Sequence, residues 1–149
     1  MFAPRPDVAL AEMLRVLKPG GRIAFATWPP ELLIGASFAL VGKYMPPPPP
    51  FVSPPPQWGD PTIVRDRLGA AVTDLVFDRG VMLFPALSPA HYRLFYEGNA
   101  GPALRLVQTL QGEPARLAVF RREFEEIATP YLHENVIRQD YLMTRATKV

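Results

Sequence analysis

The run Glu12-Met13-Leu14-Arg15-Val16-Leu17-Lys18-Pro19-Gly20-Gly21-Arg22-Ile23 constrains the fold more than any other part of this chain. Leu10, Met13, Leu14 and Leu17 recur at the i, i+3, i+4, i+7 spacing of one buried helical face. Pro6 suits a first helical turn, where its missing N–H costs nothing, and Asp7 sits near the positive end of the helix dipole. Lys18 lies near the negative end, and Pro19 with Gly20-Gly21 stops the helix. Ile23, Ala24, Phe25, Ala26 and Thr27 then read as a strand that is apolar on both faces. Burial of both faces is the condition of a parallel sheet covered by helices, so an α/β fold is expected.

At 149 residues the chain is expected to form a single domain over 1–149 with a sizeable core. Sixteen basic residues face fourteen acidic ones, and no run of Lys or Arg is laid out to track phosphates, so nucleic acid is not expected as a partner. Cysteine is absent, which excludes a disulfide framework and a thiol nucleophile. The tract Leu32 to Val41, broken by Gly35, is well short of the roughly 20 residues that span a bilayer. No charged segment followed by an apolar core opens the sequence, so the expectation is a cytoplasmic protein without a signal peptide.

Nineteen prolines are the compositional oddity, with five at Pro46 to Pro50 and three at Pro54 to Pro56. These read as extended polyproline II backbone within a Pro-rich loop over 29–57, pinned to the body by Phe51 and Trp58. The other reading, a ligand for an SH3-like or WW-like groove, lacks the flanking Arg or Lys that orients such ligands.

Beyond the loop, Asp60-Pro61 reads as a cap and first turn of a helix with Ile63, Val64 and Leu68 on its apolar side. Val72 to Phe84 alternates like a strand, and Gly80 marks an expected bulge or bend. Ser88-Pro89 starts a helical insertion over 88–132, which is interrupted at Gly98 to Pro102 and ended by Pro130. Glu123, Glu125 and Glu126 alternate with core positions beside Arg121 and Arg122 and read as a solvated face. His91 and His133 are isolated, with no partner at metal-ligand spacing. The final strand places Tyr141, Met143 and Arg145 on one face and Leu142, Thr144 and Ala146 on the other.

The helix–Pro-Gly-Gly–strand run resembles the segment leading into the fifth strand of class I S-adenosylmethionine-dependent methyltransferases. The ending Tyr141-Leu142-Met143-Thr144-Arg145-Ala146-Thr147-Lys148 resembles the last strand of those that act in ubiquinone and menaquinone biosynthesis. Met1-Phe2-Ala3-Pro4 and Trp28-Pro29-Pro30-Glu31 are similar to the loops after the family's fourth and fifth strands. The resemblance covers the whole chain as the C-terminal half of that domain. It implies a partial Rossmann-like sheet in which the seventh strand lies between the fifth and sixth, and a protein related to methyltransferases.

The implied cofactor is S-adenosylmethionine, which the family holds on a Gly-rich loop after its first strand. No Gly-x-Gly follows a strand here, so the chain alone is expected to be inactive and not to bind the cofactor. No catalytic base can be named. Ligands of open α/β sheets lie beyond the carboxyl ends of strands, which points to Trp28 and Glu31 and, by resemblance, to Met1 and Phe2. Tyr92, Phe95 and Tyr96 would cover the same end as an aromatic lid over a hydrophobic small molecule. Core packing is the competing role for each aromatic. The alternative function is a stand-alone module that binds a small molecule or a protein. The apolar strand Ile23 to Thr27 has an open edge, so a homodimer or higher oligomer through that edge is expected.

Overall fold

Local signals place the helix starts. Pro6 is the first residue of α1 (Pro6–Arg15), and Asp60 and Ser88 cap two later helices in the computed structural model, which describes residues 1–149. The Asp60 carboxylate accepts from Thr62 N–H at 2.8 Å and Ile63 N–H at 3.3 Å, and Ser88 Oγ accepts from His91 N–H at 3.1 Å. The full order is α1, β1 (Arg22–Thr27), α2 (Leu33–Tyr44), α3 (Pro61–Leu68), β2 (Val72–Pro85), α4 (Pro89–Asn99), α5 (Gly101–Thr109), α6 (Pro114–Ala128), β3 (Leu132–His133) and β4 (Val136–Lys148). This is an α/β fold, and no helix is long and apolar enough to cross a membrane.

The sheet runs β1-β4-β2, and β3 forms a short antiparallel pair with β4. The closing strand thus lies between β1 and β2. β1 and β4 are antiparallel, with Ile23 opposite Ala146, Phe25 opposite Thr144 and Thr27 opposite Leu142.

The chain divides into two compact units. The first holds residues 1–30, 48–81 and 140–149. Its core is Leu10, Trp58, Val64 and Leu68, with Met1, Phe25, Leu75 and Phe77 packed against them. Phe25 meets Trp58 edge-on at 5.7 Å. The second unit holds residues 31–47 and 82–139. There α2 and α4 pack on α5 and α6 around Tyr92, Leu106, Leu110, Phe120 and Phe124.

Three expectations need correction. The segment 29–57 is not loop throughout, because Leu33–Tyr44 forms α2. Leu33, Ile34, Ser37, Leu40 and Val41 are buried along one face, and Ala36, Phe38, Ala39 and Gly42 make the rest of the helix apolar or small as well. A helix packed against both α5 and α6 needs that composition, and it leaves no amphipathic period to read in the sequence. β1 is not buried on both faces: Ile23 and Thr27 are buried, whereas Arg22, Ala24 and Ala26 are exposed. β2 runs through Gly80 without a break. Asp74 has φ +51°, and Val72 and Leu75, three positions apart on either side of it, pack on the same core. Finally, Trp58 is buried as an anchor of the Pro-rich segment, but Phe51 is 66% exposed and anchors nothing.

Candidate functional site

Tyr141, Leu142, Ala146 and Lys148 of the closing strand each hold a different neighbour. Leu142 and Ala146 are buried on the core side of the sheet. Tyr141, on the other side, covers Gly80 of β2, where an added Cβ would overlap the phenol ring, and meets Trp28 edge-on at 6.4 Å. Lys148 Nζ donates to the carbonyls of Leu14 and Leu17, both at 2.8 Å. It thereby places a positive charge on the carbonyls at the carboxyl end of α1, a place that the sequence pattern assigned to Lys18.

Beyond the carboxyl end of β1, the backbone is fixed by small and cyclic residues. Thr27 is buried and its hydroxyl donates to the Trp58 carbonyl at 2.8 Å. The Trp28 carbonyl occupies the space where Gly59 would carry a Cβ, so only glycine fits at 59. Pro29 is fully buried. The turn into α2, Trp28-Pro29-Pro30-Glu31-Leu32, has no glycine, and its two prolines lack an N–H. Leu32 gives α2 no side-chain cap.

The sequence-derived candidates fall into both units. Met1 is half-buried against the first core, and burial lowers the pKa of its amino group. Phe2 is 67% exposed and Trp28 half-buried. In the second unit Glu31 is exposed, and Phe95 lies 4.4 Å from Phe84, ring to ring, with 44% of its surface open. Tyr92 and Tyr96 are core residues. Both stack on Phe124, at 5.7 and 4.7 Å. Burial raises both phenols, Tyr96 to about 12, and the Tyr96 hydroxyl has no hydrogen-bond partner.

Two features escaped the sequence reading. One is a buried charge network in the second unit. Glu97 accepts from Arg121 at 2.9 and 3.0 Å and from Arg93 at 2.8 Å, and Arg93 reaches Glu125 at 2.6 Å. Burial pulls the Glu97 pKa upward, but the hydrogen bonds from Arg121 and Arg93 outweigh it and leave the carboxyl below its ordinary value. Glu123 likewise holds Lys43 at 2.6 Å and Tyr44 at 2.9 Å. The acidic cluster stays partly exposed to solvent, each member beside a basic side chain: Glu123 by Lys43, Glu125 by Arg93 and Glu126 by Arg122 at 3.8 Å. The i, i+4 spacing of Arg93 and Glu97 was the available signal.

The other is a groove of about 310 Å³ on the first unit, lined by Arg22, Ala24, Asp74, Val76, Arg145 and Thr147 among others. It lies at the amino end of β1, opposite to the end where the strand rule placed a ligand. Arg145 is held by Asp78 at 2.5 and 3.0 Å. Arg22 has no ion-pair partner, so the groove can take an anionic group there. It holds no nucleophile paired with a base, and no three His, Asp or Glu side chains converge as metal ligands.

No family model matches the chain. It is similar to the uncharacterized protein Rv1405c of Mycobacterium tuberculosis and Mb1440c of Mycobacterium bovis. Each is 30% identical over 149 residues, covering 99% of this chain and 54% of the relative. Rv1403c of Mycobacterium tuberculosis, also uncharacterized, is 28% identical over the same share of each chain. The chain thus spans about half the length of the curated relatives it matches.

Proposed function

We propose that this chain forms the C-terminal half of an S-adenosylmethionine-dependent methyltransferase-like domain and does not bind the cofactor or act by itself. The observation that carries the reading is the sheet order β1-β4-β2, with the last strand inserted antiparallel between the others. That is the arrangement the resemblance implies for the fifth, seventh and sixth strands. The matched share of the relatives agrees with a half-domain. A hydrophobic small molecule is the substrate class in this reading, received beside Trp28 once the other half is present. The free Arg22 in its groove favours a second reading, a stand-alone module that binds a small molecule or a protein.

Isothermal titration with S-adenosylmethionine and S-adenosylhomocysteine tests this. The chain alone should give no heat of binding. Joined to the unmatched part of Rv1405c, it should bind with a micromolar Kd. Binding by the chain alone, or none by the joined protein, would overturn the proposal.

A further inference from the structure

Four charged side chains border the outer face of the first unit's sheet, and they do not cancel one another. Arg22 stands opposite Thr147 and Ala24 opposite Arg145, and cross-strand partners share a face, so these four residues line one side. The core, with Phe25, Leu75 and Phe77, lies on the other. Ala24 carries only a methyl group beside the long side chains of Arg22 and Arg145. The hollow it leaves is the groove of about 310 Å³, which Asp74 and Val76 of β2 complete.

Arg145 donates twice to Asp78 Oδ2, so that pair is spent. Arg22 has no ion pair, and the Asp74 carboxylate accepts only from the neighbouring Thr73 hydroxyl, at 3.2 Å. Asp74 also has φ +51°, a left-handed backbone that Asp and Asn adopt more readily than most residues with a side chain. Backbone held outside the ordinary strand region collects at ligand sites. One uncompensated cation and one uncompensated anion therefore border a single groove, from the two strands that flank β4. At the usual strand spacing their backbones are about 10 Å apart, a gap that an arginine side chain and a small ligand together bridge.

We propose that this groove binds a small zwitterion, an amino acid with an apolar side chain. Its carboxylate sits on Arg22, its ammonium on Asp74, and its side chain on Ala24 and the 43% exposed Val76. A bare anion meets only half of this complement, because the Asp74 carboxylate repels it, and a phosphate dianion is repelled most. The groove lies at the amino end of β1, so it is separate from any ligand received beside Trp28. Such binding rests on the reading of the chain as a stand-alone module and gives that module its ligand class.

Titration of the isotope-labelled chain with L-leucine, followed through its amide NMR shifts, tests this. Leucine should move Ala24, Asp74, Val76 and Thr147 together, with a Kd on the order of 1 mM for so open a site. Isocaproate, which lacks the ammonium, and isoamylamine, which lacks the carboxylate, should each bind about fivefold more weakly. Arg22 and Asp74 are exposed, so substitutions there leave the core intact. Arg22→Gln should weaken leucine about tenfold. Asp74→Asn keeps a residue that tolerates the left-handed backbone, and it should weaken leucine while tightening isocaproate. Isocaproate or inorganic phosphate binding in the groove as tightly as leucine would overturn the amino-acid assignment and leave the small-molecule reading standing. No shift in the groove from any of these probes would overturn the assignment and remove the groove from that reading as well.

Discussion

The ring of Tyr141 lies over Gly80 of the adjacent strand, and its phenol end fills the space of the missing side chain. Gly80→Ala should destabilise the protein by about 1–3 kcal/mol through overpacking. Combined with Tyr141→Ala, the same change should cost far less than it does alone. Urea unfolding of the two single variants and the double variant measures the coupling. Additive effects would show that the ring swings clear.

Lys148 ties the end of β4 to the last carbonyls of α1. Lys148→Met keeps most of the apolar stem and loses both hydrogen bonds and the favourable charge at the helix end. The expected cost is about 1–2 kcal/mol. Amide exchange should report it first as faster opening at Val16 and Leu17, whose N–H groups donate within this last turn.

Glu97 makes stability depend on pH in a defined direction. Its folded pKa lies below the ordinary 4.5, so its contribution is fully present above 4.5 and is lost as pH falls through the lowered folded value. Glu97→Gln should cost about 2–3 kcal/mol at neutral pH. That is less than for a fully buried pair, because Arg121 is 39% exposed. Thermal melts of the Gln variant should fall less steeply below pH 4.5 than those of the parent.

Thr144 is fully buried opposite Phe25, and its hydroxyl has no hydrogen-bond partner. Thr144→Val keeps the shape and removes the orphan group, so it should stabilise the protein by about 1 kcal/mol. A lower melting temperature would show that the hydroxyl finds a partner in solution.

Features written in neighbouring residues were legible. Asp60-Pro61 and Ser88-Pro89 start helices because cap and first turn are one local arrangement, and the alternation from Tyr141 to Ala146 marked both faces of β4. What distant partners decide was not legible. Tyr92 and Tyr96 have the spacing of a lid as well as of a core, and stacking on Phe124 from α6 settles the matter. The role of Glu123 depends on Lys43 and Tyr44, some eighty positions earlier. The left-handed backbone at Asp74 had a signal, the three-residue step between the core residues Val72 and Leu75.

The middle strand of the sheet is synthesised after both strands that flank it. β1 and β2 have no ladder partner other than β4, and Lys148 bonds to Leu14 across 134 positions. Pairing therefore waits until β4 itself is translated, and contacts this remote in sequence make folding slow. A nascent chain stopped short of Val136 would carry two unpaired strands and an uncapped first helix, and it should be a substrate for chaperones and proteases, not a smaller folded protein.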